Sequence, residues 1–285
     1  MKNIDSQGLL IVDGSNLLFQ MFYGMPARIM GKSGKPIQGT LGFVGALLKI
    51  LHMTQPAYAA VLFDGECHNQ RKDLDPCYKA NRPDYSEIPE EETPFSQLPD
   101  IFRALQVMGI PYRETDCCEA DDWIAGYALQ YGSQMPVTIA SQDSDFFQLI
   151  SDNVKILRYR GQNSLICGTA YIQEKFGILP EQYADWKAMV GDSADNIRGA
   201  DKIGPKTAAA LLQQFGSLEK ILDSTEQVQK PSIRASLQEN TQRLLCNQKL
   251  IRLSGAAELP FSLDEIPYRE CGMTTTRILK EIDIF

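Results

Sequence analysis

The side chains best suited to chemistry in this sequence are carboxylates that follow short apolar runs. Three such runs, over residues 9–12, 58–63 and 136–140, are typical of buried strands, and each leads directly into acidic residues. The acids at these three points are Asp13, Asp64, Asp143 and Asp145. Because functional sites of open α/β sheets form outside the carboxyl ends of the strands, we expect these carboxylates to meet at one edge.

Two further acidic segments lie outside the predicted strands. Residues 119–122 are Glu-Ala-Asp-Asp at the start of an amphipathic segment, where acids either stabilise a helix N-terminus or join the site. Asp192 and Asp195 have a spacing that puts both on one face of a helical turn, and that also occurs in ordinary caps and turns. The acids that these segments add are Glu119, Asp121, Asp122, Asp192 and Asp195.

Carboxylates gathered in one cleft repel each other strongly, so a fold that assembles them needs cations. Hard divalent ions fit, above all Mg²⁺ or Mn²⁺, and two such ions about 4 Å apart hydrolyse phosphodiesters by activating water and stabilising the leaving oxygen. No Ca²⁺ loop of the EF-hand type is present, and two histidines, His52 and His68, leave little material for a Ser-His-Asp triad. The sequence therefore predicts metal-assisted chemistry carried by carboxylates.

A second motif lies at residues 199–207. Pro205 separates the glycine from the lysine of a Walker A pattern, so that match fails. The segment Ile203-Gly204-Pro205-Lys206 instead predicts a tight hairpin that enters a helix at Thr207, whose first N–H groups can meet a DNA phosphate. An ordinary helix–turn–helix packing unit is the alternative.

A polar insertion at about residues 66–95 interrupts the α/β pattern. Within it, the ring of Tyr78 can stack on a base while Lys79 and Arg82 meet phosphate, although a solvated loop face is the ordinary interpretation. The residues of the insertion and the hairpin that we predict to contact DNA are Arg71, Lys72, Lys202, Ile203, Gly204, Pro205, Lys206 and Thr207.

The order of the strands and helices that must position these residues predicts an α/β fold with a mostly parallel central sheet flanked by helices. Helical patterns such as 41–51 and 121–131 alternate with the predicted strands. After about residue 178 the strand signals fade. We therefore predict an α/β core over 1–178 and a helical part over 179–285, with a helix–hairpin–helix at about 198–216.

Composition bounds the class of protein. The chain has 285 residues, 44% of them hydrophobic, no apolar stretch of about 18 residues and no signal-peptide pattern. We therefore expect a cytoplasmic protein, and we expect it to be a monomer. The seven cysteines, including Cys67 and Cys117, show no C-x-x-C spacing, so we expect reduced thiols. The net charge of −8 argues against a nucleic-acid partner, but without the nine candidate acids 27 acidic residues balance 28 basic ones.

Taken in their order along the chain, the acidic segments and the hairpin resemble the motifs of the bacterial 5′-nuclease family. This family comprises the 5′-nuclease domain of DNA polymerase I and stand-alone flap endonucleases. The most specific matches are Glu119-Ala120-Asp121-Asp122, the segment 191–196, and the hairpin with its following helix. The resemblance covers nearly the whole chain and implies a PIN-like core, a helical arch over the site and a DNA-binding helix–hairpin–helix. No polymerase region follows, so we expect a stand-alone member.

The resemblance also implies roles for individual residues. On the arch, Lys79 and Arg82 would contact the scissile phosphate and Tyr78 would stack on a base, while the hairpin would hold K⁺ against a phosphate of the duplex. Two divalent ions would be bound, with Asp122 assisting. The first would be held by Asp13, Asp64, Glu119 and Asp121, and the second by Asp143, Asp145, Asp192 and Asp195.

Three positions depart from the family pattern. Gln20 stands where an Arg is usual in the first helix, and Gln70 and Asp75 stand where Phe and a second Tyr are common before and along the arch. These changes leave the predicted metal ligands intact but can weaken binding of the 5′ strand, and so affect the cleavage rate and the substrate preference.

We therefore predict a structure-specific 5′ nuclease, both 5′-3′ exonuclease and flap endonuclease, that acts in DNA replication and repair. Its partner would be DNA with a 5′ flap, a nick or a gap. The alternatives are a non-catalytic structure-specific DNA-binding protein, an RNA-cutting relative and a phosphatase of the haloacid-dehalogenase type. The last requires an Asp two residues after Asp13, where Ser15 stands.

Overall fold

The structure of the chain is a computed structural model, which describes residues 8–65, 70–116, 118–256 and 258–285. Cys67, His68 and Cys117 lie outside these ranges, as do the first residues of the predicted insertion and the side chain of Gln70. No helix in the described part is long and apolar enough to cross a membrane.

A six-stranded sheet forms the centre of the molecule. Its strands are β1 (Leu9–Asp13), β2 (Tyr58–Phe63), β3 (Tyr112–Glu114), β4 (Val137–Ala140), β5 (Val154–Arg158) and β6 (Leu165–Cys167). Their spatial order is β3-β2-β1-β4-β5-β6, and every pair is parallel except β5 with β6. The mostly parallel sheet predicted from the sequence is confirmed.

Helices cover both faces of the sheet. They are α1 (Gly14–Gly24), α2 (Gln38–Thr54), α3 (Gln70–Leu74), α4 (Leu98–Met108), α5 (Ala120–Tyr131) and α6 (Thr169–Phe176). Leu10 and Val12 of β1 enter a core layer with α1, α2 and α4, whereas Leu9 and Ile11 enter a second layer with α5. Burial on both faces explains why the strands are continuous apolar runs rather than alternating ones.

The insertion between β2 and α4 contains only short helices within its described residues. After α3, single turns of 3₁₀-helix cover Tyr85–Glu87, Glu90–Glu92 and Pro94–Gln97. Prolines 83, 89 and 94 interrupt this segment, and a proline cannot donate the backbone hydrogen bond that a longer helix needs. A continuous helical arch is therefore not formed in this conformation.

The second part of the chain is mainly helical. Its elements are α7 (Tyr183–Val190), β7 (Gly191–Asp192), β8 (Ile197–Arg198), α8 (Pro205–Phe215), α9 (Leu218–Asp223), α10 (Pro231–Ile251) and α11 (Thr275–Glu281), with 3₁₀ turns at Asp145–Leu149, Gly161–Asn163, Pro180–Gln182, Thr225–Gln227 and Leu263–Glu265. Helix α8 begins at Pro205, two residues earlier than predicted, because proline is well tolerated in a first helical turn.

The segment around Asp192 and Asp195 decides between the two alternatives that their spacing left open. Asp192 ends β7, and Asp195 lies in the tight turn that leads to β8, so the spacing belongs to an ordinary turn and not to a helical one. Gly191 (φ 90°) and Asn196 (φ 58°) both have positive φ angles, which a right-handed helical turn cannot accommodate.

The last helix returns to the first part of the molecule. Ile278 and Leu279 of α11 are buried in the same core layer as α2 and α4, and the chain ends there. The boundary that we predicted at residue 178 stays a prediction.

Candidate metal centre and nucleic-acid interface

Asp13 is the last residue of β1 and caps helix α1, so its carboxylate is held at the edge of the sheet. Oδ1 accepts a hydrogen bond from the Asn16 N–H (2.9 Å), and Oδ2 accepts one from the Ser141 hydroxyl (2.7 Å). The next residue must be small, because a Cβ at Gly14 would lie 2.5 Å from the ring of Phe63. Capping and close packing together account for the Asp-Gly pair after this strand.

Asp64 follows β2 and connects the sheet edge to the start of α5. Its Oδ1 accepts a hydrogen bond from the Ala120 N–H (2.9 Å), and its own N–H donates to the Ser15 hydroxyl (2.8 Å). Glu119 and Asp121 flank Ala120, so the acidic segment begins a helix and at the same time lies at the strand ends.

The loop after β4 places Asp143 beside the end of β1. The Asp143 N–H donates to the Ser141 hydroxyl (3.0 Å), and the Asp145 N–H donates to Oδ1 of Asp143 (2.8 Å). The backbone N–H of Gln142, which lies between Ser141 and Asp143, donates to the side-chain oxygen of Asn16 (2.9 Å). Three strand ends thus deliver acids to one edge, as the sequence predicts for a parallel sheet.

Four of these acids lie within electrostatic reach of each other, and we call them the inner carboxylates: Asp13, Asp64, Asp121 and Asp143. Burial, together with the charges of Asp64 and Asp143, raises the pKa of Asp13 to about 7. Loss of hydration, and then Asp143 and Asp13, raise the pKa of Asp121 well above its usual value. Asp13 is buried and Asp64 is exposed, so the group opens to solvent.

The inner carboxylates are not ion-paired in the described part of the chain. Within residues 8–65, 70–116, 118–256 and 258–285, no Lys, Arg or His side chain forms an ion pair with any of the four. Lys79 lowers the pKa of Asp121 from a distance, but burial and the neighbouring acids outweigh it. Acids that raise each other's pKa and form no ion pair are a favourable environment for a bound cation.

The other five acids, which we call the outer carboxylates, each contact a basic side chain: Glu119, Asp122, Asp145, Asp192 and Asp195. Nη1 of Arg71 contacts Glu119, and Nη2 of the same side chain lies 2.8 Å from Oδ1 of Asp122. Nζ of Lys79 lies 2.6 Å from Oε1 of Glu119. Burial alone would raise the pKa of Glu119, but Lys79 and Arg71 hold it below its usual value.

Lys187 is a residue of this site that sequence reasoning missed. Its ammonium is buried, contacts the carboxylate of Asp145 and lies 2.5 Å from Oδ2 of Asp192. Burial lowers the pKa of Lys187, but Asp145 and Asp143 outweigh it and keep the pKa above its usual value. The available signal was a lone cation in an otherwise apolar stretch of α7, five residues before Asp192.

The two sets of acids differ in how well they fit a divalent ion. Within the described ranges, no three Asp, Glu, His or Cys side chains are already arranged as a metal-ligand set, and this includes the inner carboxylates. The inner carboxylates fit a hard cation by their chemistry, since they offer oxygen donors that form no ion pair within the described residues. The predicted second set does not fit as arranged, because Lys187 and Arg82 contact it.

Family models match almost the whole chain in two consecutive segments. Residues 8–177 match the N-terminal resolvase-like domain of 5′-3′ exonucleases, and residues 178–274 match their C-terminal SAM fold. The chain belongs to the 5′-3′ exonuclease family.

Individual members of the 5′-3′ exonuclease family are similar over most of this chain. The 5′-3′ exonuclease of Aquifex aeolicus is 30% identical over an alignment that covers 96% of this chain and 95% of that protein. The flap endonuclease Xni of Aeromonas hydrophila is 33% identical and covers 91% of this chain and 95% of its own length. DNA polymerase I of Rhizobium leguminosarum is 36% identical over 266 residues, but the chain spans only 26% of that protein.

Solved structures support the same fold. The T5 D15 protein, co-crystallised with metal ions, has a TM-score of 0.71 and 26% identity over 86% of this chain and 89% of its own. The catalytic core of Rad2 in complex with DNA has a TM-score of 0.61 over 97% of this chain and 93% of its own, and its 15% identity shows similarity of fold alone.

In this member of the 5′-3′ exonuclease family, residues 70–82 of the insertion are docked onto the outer carboxylates. Nη2 of Arg82 lies 2.8 Å from Oδ1 of Asp195, and the Lys79 N–H donates to the Asp195 carbonyl (3.0 Å). The Asn81 side chain donates to the Ser193 carbonyl and that of Asn196 to the Cys77 carbonyl, both at 2.8 Å. Lys72 is exposed.

The position of Tyr78 corrects the expectation that its ring is free to stack on a base. Its side chain is only 4% exposed and belongs to the core layer that contains α5, with the Lys79 ammonium 4.9 Å from the ring centroid. A ring in this position cannot stack on a base, because its faces are already covered by protein. Stacking by Tyr78 would require residues 70–82 to leave the outer carboxylates.

The predicted hairpin is present before α8. Lys202, which has a positive φ of 65°, and Lys206 are exposed on either side of the turn, next to the helix N-terminus. Ile203 is buried at 3% exposure, so its side chain anchors the hairpin and only its backbone is available to a ligand. Gly204 and Thr207 lie at the start of the helix.

Two of the departures from the family pattern have structural roles here. The side-chain amide of Gln20 donates to the Tyr159 carbonyl (2.8 Å), so it connects α1 to the end of β5. Oδ1 of Asp75 accepts a hydrogen bond from the Cys77 N–H (2.8 Å) and stabilises the turn before Tyr78.

Proposed function

We propose that this chain is a metal-dependent 5′ nuclease that hydrolyses phosphodiesters of DNA at junctions of duplex and 5′ single strand. The observation that carries the proposal is the group of four inner carboxylates at the strand ends of a 5′-3′ exonuclease fold, which form no ion pair within the described residues. The names and DNA complexes of the relatives support the choice of reaction and substrate.

The proposed ion is Mg²⁺, with Mn²⁺ as a substitute, because oxygen donors favour hard divalent cations. The residues that would hold it are Asp13, Asp64, Asp121 and Asp143. When bound, such an ion lowers the pKa of water and stabilises the charge that develops on the phosphate. Ser141 and the N–H of Ala120 orient the carboxylates through their hydrogen bonds.

The docked basic residues provide the second component of the proposed mechanism. Arg71, Lys79 and Arg82 now neutralise Glu119, Asp122 and Asp195, and a phosphodiester entering the site would compete for the same cations. Guanidinium groups suit a phosphate because they bind two of its oxygens at once. We propose that Lys79 and Arg82 hold the scissile phosphate beside the inner carboxylates.

Binding of the duplex is assigned to the hairpin before α8. Lys202 and Lys206 offer exposed positive charge, and the helix N-terminus offers unpaired N–H groups. We propose that the backbone carbonyls of this hairpin hold K⁺ against a duplex phosphate, as the family resemblance implies. We further propose that the protein acts as a cytoplasmic monomer.

A cleavage assay with two substrates tests the function. We expect wild type with Mg²⁺ to cut a 5′-labelled flap substrate near the junction and to leave a blunt duplex of the same sequence largely intact. The double variant Asp143→Ala with Asp145→Ala should lose this activity while its circular dichroism remains that of wild type. Equal cleavage by wild type and the double variant would contradict the proposal, and flap binding without cleavage would select the DNA-binding alternative.

A further inference from the structure

Lys187 lies where the family resemblance places part of a second metal site. It is 6% exposed on α7, and its ammonium contacts Asp145, which follows β4, as well as Asp192 at the end of β7. Asp143 also lies within electrostatic reach of this ammonium. The lysine thus bridges acids from separate elements in the way that a metal ion would.

The outer acids around Lys187 already contact cations. Asp145 and Asp192 share the Lys187 ammonium, and Asp195 pairs with Arg82 at 2.8 Å. Among the acids predicted to hold a second ion, only Asp143 forms no ion pair in the described residues, and it belongs to the inner group. A divalent ion bound to the outer acids would therefore compete with the Lys187 ammonium for the same carboxylates.

Displacement of Lys187 is unfavourable because its side chain is buried at 6% exposure. Its neighbours on α7, Trp186 and Ala188, are buried as well, so the helix cannot rotate to expose the ammonium. Without its two carboxylates the ammonium would stay buried beside a divalent ion, and an uncompensated buried charge is strongly destabilising. Lysine is also held covalently, so it competes with free ions without an entropy cost of capture.

We propose that Lys187 takes the place of a second divalent ion, so that the protein binds one ion at the inner carboxylates and uses the lysine ammonium as the fixed charge at the outer ones. This inference rests on the proposed function only in assuming that the inner carboxylates bind metal. Lys187 is a positioning residue, because it acts on Asp145 and Asp192 rather than on substrate.

The variants that separate this role from simple packing are conservative in size. Lys187→Met keeps an unbranched side chain and removes the charge, whereas Lys187→Arg keeps the charge. Lys220→Met is a matched control, since Lys220 is an exposed lysine of α9 outside the site. Asp13→Asn weakens the inner group without touching Lys187.

The experiment counts Mn²⁺ ions bound per chain by electron paramagnetic resonance of the unbound ion, with circular dichroism as a check of folding. We expect about one ion for wild type, Lys187→Arg and Lys220→Met, about two for Lys187→Met, and none for Asp13→Asn in the same concentration range. The Asp13→Asn result does not depend on whether Lys187→Met folds.

Two ions of similar affinity in wild type, one ion in folded Lys187→Met, or one ion remaining in Asp13→Asn would each overturn the proposal. No cleavage is measured in this experiment, so such a result together with intact flap cleavage overturns this inference alone. No ion bound by wild type would contradict the metal-dependent function as well.

Discussion

The hydroxyl of Ser141 donates a hydrogen bond of 2.7 Å to Oδ2 of Asp13. The hydroxyl oxygen of Ser141 also accepts a hydrogen bond from the Asp143 N–H (3.0 Å), so one side chain orients two inner carboxylates from neighbouring strands. Groups that orient metal ligands in this way contribute to affinity although they do not touch the metal.

We expect Ser141→Ala to weaken Mn²⁺ binding and flap cleavage by roughly 10- to 100-fold, the usual effect of losing a group that orients a ligand. Calorimetric titration and single-turnover kinetics measure the two quantities. Ser164→Ala is the control, because its hydroxyl stabilises only the turn at Gly161. Metal affinity equal to that of wild type would show that Ser141 is not needed to orient the inner carboxylates.

Asp121→Asn should stabilise the metal-free protein. The substitution removes one of several charges that raise each other's pKa, so we expect the melting temperature in EDTA to rise by about 2 °C, equivalent to about 1 kcal/mol. In wild type, Mg²⁺ at about 100 times its Kd should add roughly 2.7 kcal/mol of stability, and the variant should lose this increase. Asp152→Asn, at an exposed acid, serves as the control for charge removal. A lower melting temperature of Asp121→Asn in EDTA would mean that repulsion is not the dominant effect.

Lys79→Met should impair cleavage more than metal binding. The Lys79 ammonium contacts Glu119, next to the inner carboxylates, and a phosphate that enters the site would compete with Glu119 for it. We therefore expect a loss of roughly 100-fold in the cleavage rate. Mn²⁺ affinity should change little. Lys220→Met, in which an exposed lysine of α9 outside the site is changed, should cut at nearly the wild-type rate. Similar losses in both variants would indicate a general charge effect rather than a specific contact.

Lys206→Met should weaken binding of duplex DNA without altering its sequence preference. A single lost phosphate contact should reduce the slope of log affinity against log salt concentration by about one, as measured by fluorescence anisotropy in Ca²⁺. Lys175→Met, on the exposed side of α6, is the matched control. An unchanged salt dependence would remove the hairpin from the proposed DNA interface.

The positions of the strand-end acids could be predicted from the sequence because their signal is local. An apolar run that ends in Asp specifies both the strand and the edge where the acid emerges, as Asp13 and Asp64 show. The order of such runs then places these acids in one sheet without any knowledge of side-chain contacts.

The partners of the outer carboxylates could not be predicted, because they are chosen by tertiary packing. Lys187 resembles an ordinary helical lysine in the sequence, and only the approach of α7 to the 3₁₀ turn Asp145–Leu149 and to β7 brings it to Asp145 and Asp192. Tyr78 resembles an exposed loop aromatic, yet docking of residues 70–82 buries it. Local pattern carries no information about either contact.

Cleavage of a 5′-labelled flap by wild type and Asp121→Asn, each in Mg²⁺ and in EDTA, tests the central claim most directly. The account predicts, only for wild type in Mg²⁺, a released flap that ends in a 3′-hydroxyl and a duplex strand that begins with a 5′-phosphate, while Asp121→Asn stays folded and cuts at least about 100-fold more slowly. Cleavage by wild type that persists in EDTA, or equal rates for the two proteins in Mg²⁺, would contradict it.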